Sequence, residues 1–367
     1  MEKWKRRLII CVSILVPLLA IGGWMFQHWL GFMLRSPMPV SERYDWPMTV
    51  VAGDGTSGFV DGDSPKFNKP IRFAPFGPDT VLVADINNHA IRIVHRDGKT
   101  ETLAGGPDKQ GYKDGPVDLA QFNSPHGVAV RNDGAIAVAE ASNHTIRLLM
   151  PKEHGDNISS AYTVSTLAGV AGQKGFQNGP AGEALFNAPH AVTWGAGGTL
   201  FVADIGNARL RQIKDGKVTT VAGTGKFGYA DGPLEKGTLQ YPMDLCIDSA
   251  GRILIADGGT GYIRRYVSRN GLFSPWQGIQ IDMPHGVTAA AGGDVVVAEM
   301  RGHRICLLTS NNMLIRLCGT GQPGSGPGQL KKPAAVLIHS GYLWIADLGN
   351  HRVLTTRWPL TTDLKKD

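Results

Sequence analysis

Cysteine is scarce in this sequence, and the spacing of its few cysteines excludes the common zinc-binding motifs. The 367 residues include 4 Cys, and no two of them have the separation of zinc-ligand pairs. Cys306 and Cys318 flank a turn at Asn311-Asn312, so they either form a cross-strand disulfide in an oxidising compartment or pack as two thiols. Cys246 falls in a strand, where we expect it to pack as a small apolar side chain.

The sequence also lacks the motifs that define several large enzyme classes. It contains no nucleophile elbow, no phosphate-binding loop and no dinucleotide fingerprint. Aromatic residues make up 8% of the chain, and they are not interleaved with basic residues as in proteins that stack nucleic-acid bases. The formal net charge is +6, but four of the basic residues lie before residue 8, and the propeller region is close to balanced. We therefore expect no nucleic-acid partner.

The main positive feature is a short phrase that recurs in six imperfect copies. Each copy has a small apolar strand that ends in Asp or Glu, a turn that often contains Asn-His, and then an apolar residue followed by Arg. The copies lie roughly forty to sixty residues apart, as expected for one supersecondary unit that buries its apolar face against its neighbours. Their acidic positions are Asp85, Glu140, Asp204, Asp257, Glu299 and Asp347.

Each repeat has the pattern of four short β-strands. In the first complete repeat these are residues 71–76, 80–84, 90–95 and 100–104. The runs are apolar or alternating, turn residues separate them, and none has the period of a helix. Four strands per repeat are typical of a propeller blade, and we label them A to D from the axis outward.

The two ends of the repeat region complement each other. Strand D ends in Thr-Leu-Ala-Gly or a close variant, and residues 49–53 carry this signature although no A, B or C strand precedes them. At the other end, residues 334–338, 342–346 and 352–356 supply strands A, B and C without a strand D. We predict that the N-terminal strand completes the last blade, which closes the ring and removes two open sheet edges.

The alternation of Asp, Asn-His and Ile-Arg after a small apolar strand resembles the NHL repeat family of six-bladed β-propellers. The resemblance covers about residues 48–358 and implies an all-β fold of four-stranded blades. Propellers of this kind include binding scaffolds and enzymes, so the resemblance alone does not choose between them.

The N-terminal segment is predicted to cross a membrane once. Residues 8–25 form an apolar stretch that follows a basic N-terminus and ends at aromatic residues. We predict a transmembrane helix that acts as a signal anchor within residues 1–35, with the N-terminus cytosolic and the propeller periplasmic or extracellular. A signal peptide cleaved near Ala20-Ile21-Gly22 is the alternative. Residues 36–47 are predicted to be a spacer, residues 48–358 the propeller and residues 359–367 a tail.

Three histidines are predicted to meet at the mouth of the axial channel. Strand A is innermost and opens with a proline, so the residue after that proline lies at the mouth. This residue is histidine in three blades, as His126, His190 and His285, and Arg72 and Asp244 each lie one residue further along their strands. Imidazoles from separate blades can bind a metal and leave a coordination position open. We predict a site for zinc or another divalent metal, with Arg72 and Asp244 as contacts to a bound ligand; the alternative is that these histidines only line the channel.

The Pro-His-Gly, Pro-His-Ala and Pro-His-Gly set resembles the zinc-binding histidines of the peptidyl-α-hydroxyglycine α-amidating lyases. This resemblance implies a metal at His126, His190 and His285. Glu140 and Glu299 lie in two of the histidine-bearing blades and are longer than the Asp of the other blades, so they are candidate general bases or positioning residues. The alternative is that all strand-B carboxylates are structural and accept hydrogen bonds from turn N–H groups or pair with the strand-C Arg.

Two functions remain open at this point. The first is an interaction scaffold that binds a protein, peptide or glycan on the face formed by the D-to-A loops, with a low wall at the short loop of residues 277–283. The second is a metal-dependent lyase or hydrolase. We expect the scaffold, because the fold presents a surface whether or not it catalyses a reaction.

Overall fold

The structure is a computed structural model that describes residues 40–152, 161–268, 271–274, 276 and 278–359. These residues form six sheets, which are antiparallel except for one short parallel strand, and the described part of the chain contains no α-helix. Short 3-10 helices interrupt the loops at Ile86–Asn88, Pro107–Lys109, Ala196–Gly198, Ile205–Asn207, Ala291–Gly293 and Leu348–Asn350. None of the helices among these residues is long and apolar enough to cross a membrane. The anchor predicted within residues 1–35 lies outside the described residues.

The strands follow the predicted blades. Two strands precede the first blade: β1 (Glu42–Arg43) and β2 (Thr49–Ala52). Blade one consists of β3 (Pro70–Gly77), β4 (Thr80–Asp85), β5 (Ala90–His95) and β6 (Thr100–Gly105). After β7 (Gly115–Pro116), blade two consists of β8 (Pro125–Val130), β9 (Ile136–Glu140), β10 (Thr145–Pro151) and β11 (Tyr162–Ala168). After β12 (Gly179–Pro180), blade three consists of β13 (Pro189–Trp194), β14 (Leu200–Asp204), β15 (Arg209–Lys214) and β16 (Lys217–Ala222).

The second half of the ring repeats the same order. Blade four consists of β17 (Pro242–Ile247), β18 (Ile253–Asp257), β19 (Tyr262–Val267) and β20 (Gly271–Phe273). Blade five consists of β21 (Pro284–Ala289), β22 (Val295–Glu299), β23 (Arg304–Leu308) and β24 (Leu314–Cys318). Blade six consists of β25 (Pro333–His339), β26 (Tyr342–Asp347) and β27 (Arg352–Arg357), with β2 as its outermost strand.

The ring is closed, as the sequence predicted. The six A strands contact one another in a cycle that runs from β3 through β8, β13, β17, β21 and β25 back to β3. β2 pairs antiparallel with β27, so that Thr49 lies opposite Thr355 and Val50 lies opposite Leu354. The prediction that the N-terminal strand completes the last blade is confirmed.

The hydrophobic core lies between neighbouring blades. Strand B ends in a fully buried alanine followed by a fully buried carboxylate in every blade. The small alanine side chain allows the next blade to approach closely, and a large apolar side chain from the preceding D-to-A loop fills the remaining space. These loop side chains are Phe67, Phe122, Phe186, Leu239 and Leu330, all 0% exposed. Burial of each contributes on the order of 2 kcal/mol.

A buried arginine fixes each of the first four D-to-A loops. In blade two, Arg147 is 0% exposed and donates to Glu140 Oε2 at 2.9 Å, to the carbonyl of Gln121 at 3.0 Å and to that of Lys113 at 2.8 Å. Its guanidinium also contacts Asp114 at the turn of the loop. The equivalent arginines of the other three blades are Arg92, Arg211 and Arg264.

The histidines of the repeat phrase join one blade to the next. Each accepts at Nδ1 the backbone N–H of the residue before the proline that opens the following A strand. The four pairs are His89 with Ser124 at 3.1 Å, His144 with Ala188 at 3.1 Å, His303 with Lys332 at 3.0 Å and His351 with Lys69 at 3.2 Å. The sequence did not show that these bonds cross between blades.

The structure also describes part of the predicted spacer and the two cysteines of blade five. Part of the predicted spacer, Glu42–Arg43, forms β1, which pairs parallel with β24 of blade five. Cys306 and Cys318 are free and buried, and a shift in register places Cys306 opposite Arg316 and Cys318 opposite Ile305.

Candidate functional site

A β-bulge opens strand A in all six blades. The register between strands A and B shifts between the opening proline and the second residue after it, for example between Pro125 and Gly127. The residue between these two has no partner on strand B, and a bulge re-aims such a side chain. The six bulged residues are Ile71, His126, His190, Met243, His285 and Ala334.

The three bulged histidines lie close together. The ring centroids of His126 and His190 are 4.6 Å apart, and those of His190 and His285 are 5.3 Å apart. His190 and His285 are buried and His126 is half-buried. The structure therefore brings together residues from blades two, three and five that the sequence separates by many tens of positions.

Each of these imidazoles is held through Nδ1 by a backbone carbonyl oxygen. The distances are 2.9 Å from His126 to Ser124, 2.8 Å from His190 to Met243, and 2.8 Å from His285 to Ala334. A carbonyl oxygen only accepts, so Nδ1 carries the proton and the neutral ring has an unprotonated Nε2. Within the described part of the chain, no hydrogen bond engages Nε2 of any of the three.

The environment keeps the three rings uncharged. Burial lowers the pKa of His126 to about 4, with a further contribution from Arg72. Burial and Arg72 together lower the pKa of His285 to about 3. Burial also holds the pKa of His190 well below its usual value, with the neighbouring histidines and Arg72 adding to the effect. At neutral pH the mouth therefore presents three neutral rings with free lone pairs.

Arg72 and Asp244 form a buried ion pair beside the histidines. Arg72 is 5% and Asp244 is 4% exposed, and Arg72 Nη1 contacts Asp244 Oδ2. Arg72 Nη2 donates at 2.8 Å to the carbonyl of Met243, which also accepts from His190. Asp244 Oδ2 in turn accepts the backbone N–H of Val287 at 2.9 Å. The pair thus connects blades one, four and five across the ring.

The ion pair leaves hydrogen-bond donors of Arg72 unused. Arg72 Nε is buried and has no hydrogen-bond partner among the described residues. A buried N–H without an acceptor costs about 1–3 kcal/mol, and charged groups out of water are costly even when paired. Among the described residues, Nε of Arg92, Arg211 and Arg264 is likewise buried without a partner. We define the hub as His126, His190, His285, Arg72 and Asp244.

Glu140 and Glu299 belong to the network between blades. Glu140 accepts at Oε1 from Asn123 N–H and Asn143 and at Oε2 from Thr145 and Arg147, all within 2.8–2.9 Å. Glu299 accepts the N–H of Asp282 at 2.7 Å and pairs with Arg304. A desolvated carboxylate must satisfy its lone pairs, and the nearest donors are the loop backbone and the strand-C arginine. These contacts are those of the structural alternative, in which the strand-B carboxylates accept hydrogen bonds from N–H groups and pair with the strand-C Arg.

The histidine spacing fits a metal in part. Two Nε2 atoms at about 2.1 Å from a tetrahedral zinc ion place their ring centroids about 5 Å apart, near the two observed spacings. However, no group of three or more His, Cys, Asp or Glu side chains among the described residues is already arranged as a metal site.

The fold defines the class of this protein as a six-bladed β-propeller. The family model described as NHL repeat matches residues 122–147, which run from the D-to-A loop of blade two to Arg147. A curated relative, NHL repeat-containing protein 2 of Bos taurus, is 26% identical over 329 residues, which are 74% of this chain and 44% of that protein.

Other similar proteins come from a plant and from bacteria. Protein SUPPRESSOR OF QUENCHING 1, chloroplastic, of Arabidopsis thaliana is 26% identical over 63% of this chain and 22% of its own length. The chain thus spans less than half of the length of these curated relatives. A crystal structure of a protein of unknown function from Bacteroides thetaiotaomicron matches 85% of this chain and 75% of that chain, with a TM-score of 0.63 at 15% identity. An auxiliary nutrient binding protein from Bacteroides ovatus matches 85% and 76%, with a TM-score of 0.60 at 13% identity. These structures show the fold alone.

Proposed function

We propose that the protein is a binding scaffold whose ligand docks on the face that carries the starts of the A strands, with one polar group of the ligand in the hub. The observation that carries this proposal is the set of three unprotonated Nε2 atoms beside the unpartnered Nε of Arg72. The set offers three acceptors and one donor on side chains that are buried or half-buried. A peptide amide or a sugar hydroxyl has both a donor and an acceptor and complements this set.

An exposed aromatic pair on the same face supports this proposal. Phe227 is 55% and Tyr241 is 41% exposed, and their ring centroids are 5.5 Å apart. Tyr241 directly precedes the proline that opens strand A of blade four, so it lies next to the mouth. Aromatic rings with one open face are common anchors for peptides and for ring-shaped ligands.

Site-specific photo-crosslinking tests this proposal. A photoreactive amino acid is placed at Tyr241 or Lys332 on the mouth face, and at Asp133 or Lys214 in turns of the opposite face as matched controls. After irradiation in the native host, we expect covalent adducts from the first two positions and not from the controls. Equal labelling of both faces, or none on the mouth face, contradicts the proposal.

We further propose that a single N-terminal span anchors this scaffold in a membrane and that the propeller lies outside the cytosol. The basic residues before residue 8 and the apolar stretch of residues 8–25 support this arrangement. The ligand that binds the propeller would then be a periplasmic or extracellular protein, peptide or glycan.

A metal-dependent lyase or hydrolase is the second candidate, and the Nδ1 bonds favour it. A backbone carbonyl on Nδ1 is the usual partner that orients a metal-bound histidine. His126, His190 and His285 would hold zinc or a similar ion, which would supply a polarised water or carbonyl. Arg72 would then lie beside an anionic or carbonyl-bearing substrate. Glu140 and Glu299 would not act as bases, because their oxygens are engaged by other donors.

A further inference from the structure

The residue before the opening proline of each strand A lies at the rim of the mouth. All six of these residues have a positive φ, between 52° and 67°, so the backbone turns in the same way in every blade and the side chains start from equivalent points. In blade order the rim residues are Lys69, Ser124, Ala188, Tyr241, Met283 and Lys332. Blades therefore differ at the rim only in the chemistry of the side chain.

The positive charges of this rim lie on blades six and one. Lys332 precedes β25 and Lys69 precedes β3, and these two strands contact each other. Lys331 is the neighbour of Lys332 in the chain, and all three lysines are exposed. The rim residues of the other four blades are uncharged.

Two histidines of the repeat phrase show that the three ammonium groups share one region. Burial lowers the pKa of His351, and Lys69 and Lys331 lower it further. Burial also lowers the pKa of His303, with contributions from Lys332 and Lys331. Because such an effect requires the charge to lie close to the ring, we treat Lys69, Lys331 and Lys332 as one lysine cluster.

The carboxylates of this sector do not neutralise the lysine cluster. Each of three carboxylates pairs with another basic side chain: Asp54 with Lys66 at 3.1 Å, Asp282 with Arg301 at 3.4 Å and Asp347 with Arg352 at 2.9 Å. Residues 319–332, which form the D-to-A loop into blade six, include no Asp or Glu. Within the described part of the chain, no ion pair or side-chain hydrogen bond engages the ammonium groups of the cluster.

We propose that the ligand of the scaffold is an acidic segment of a protein, with its carboxylates on the lysine cluster. This inference rests on the binding function proposed above and names the class of ligand. Clustered charge of one sign, without counter-ions, attracts and orients a ligand of the opposite charge.

The rest of the mouth face favours a peptide over other polyanions. The exposed pair Phe227–Tyr241 lies on blade four, and blade five separates it from the lysine cluster. The D-to-A loop that enters blade five is shorter than the others, which leaves a path between the two patches. A peptide supplies an apolar side chain for the rings, N–H groups for the Nε2 atoms of the hub and carboxylates for the lysines.

Fluorescence anisotropy with a synthetic peptide tests this proposal. The probe is a labelled oligoglutamate that ends in tryptophan, and the control peptide has glutamine in place of each glutamate. We expect the full chain to bind the acidic peptide and not the control. The affinity should fall by about tenfold between about 20 mM and about 150 mM salt, because salt screens exposed charges.

Charge removal in the protein locates the binding. Replacement of Lys69, Lys331 and Lys332 by glutamine should weaken binding of the acidic peptide by about tenfold. The matched control replaces three exposed lysines in turns of the opposite face, Lys152, Lys214 and Lys217. It removes the same charge and should change the affinity by less than about twofold. Arginine at the three cluster positions keeps the charge and should keep the binding; denaturant unfolding shows that each variant is folded.

Three outcomes overturn the proposal: no binding of the acidic peptide by the full chain, equal binding of the glutamine peptide, or equal weakening by the two triple variants. Tighter binding of an oligogalacturonate or an oligouridylate than of the peptide also overturns it and assigns the cluster to an anionic glycan or to a nucleic acid.

Photo-crosslinking from Tyr241 in the native host separates this inference from the proposed function. Adducts that persist undiminished in the glutamine variant of the cluster contradict an acidic ligand but leave the scaffold in place. Loss of the adducts in that variant supports the inference. If the unaltered chain forms no adducts, the scaffold itself is contradicted, and the inference is contradicted with it.

Discussion

Replacing Arg147 with alanine should lower the free energy of unfolding by about 3–5 kcal/mol. The guanidinium is fully buried and joins strand C of blade two to Glu140 and to the carbonyls of the D-to-A loop. Its removal leaves a buried carboxylate without its cation and two carbonyls without their donor. The loop that carries Phe122 then loses its attachment, so the loss extends beyond one ion pair.

Denaturant unfolding measures this loss, and Arg252→Ala is the matched control. Arg252 pairs with Asp248 at 2.7 Å, but its side chain is 35% exposed, and ion pairs that reach solvent contribute little. We expect a much smaller change for Arg252→Ala. If Arg147→Ala costs no more than this control, the buried arginines do not hold the ring together.

Replacing Asp244 with alanine should have a similarly large effect, about 3–5 kcal/mol, because it leaves the Arg72 cation buried without its anion. The double variant Arg72→Leu with Asp244→Leu removes both charges and should be more stable than Asp244→Ala alone. The three proteins are compared by the same unfolding measurement. A double variant that is less stable than the single one contradicts this account.

The same variants report on the electrostatics of the hub. Arg72 is one of the causes that lower the pKa of His126, His190 and His285. Removal of its charge in the double variant should therefore raise the pKa of all three histidines, while burial still keeps the values below 6.5. A pKa shift in the opposite direction would mean that the guanidinium does not face the rings.

The fold could be predicted from the sequence because strand, turn and repeat signals agree along the chain. The acidic end of strand B and the glycine-containing turns mark every blade, and the unpaired Thr-Val-Val-Ala-Gly at residues 49–53 predicted the closure. The proline before each A strand was sufficient to place the three histidines near one another. These are local signals, and a ring of repeats converts them directly into positions in space.

Other features could not be predicted, because they depend on neighbouring blades. The sequence of the six-residue strand Pro125–Val130 does not indicate the bulge at His126. The pairing of Arg72 with Asp244 joins blades one and four, and nothing near either residue identifies its partner. The longer side chains of Glu140 and Glu299 suggested a catalytic role, whereas the structure shows that the same network accommodates Asp or Glu.

The central claim is that the mouth of the ring is a prepared binding site with three neutral imidazoles and free Nε2 atoms. Nitrogen NMR of the histidine-labelled chain tests it most directly, with single His→Ala variants to assign the signals. His89 and the other histidines that join blades accept a hydrogen bond at Nδ1, so their proton is on Nε2. Because this is the opposite tautomer to that of the hub histidines, their signals serve as an internal reference.

The account predicts that the three hub signals show a protonated Nδ1 and do not titrate between pH 8 and about 5. Burial lowers the pKa of His126 to about 4 and that of His285 to about 3, and it holds the pKa of His190 well below its usual value. In the unfolded chain the same rings titrate near 6.5, so their contribution to stability is present above that pH and is lost as pH falls through 6.5 towards the folded values. Added zinc should shift the Nε2 signals of the hub alone if the second candidate function is correct. Hub signals that titrate near pH 6.5, or that carry the proton on Nε2, would contradict the central claim.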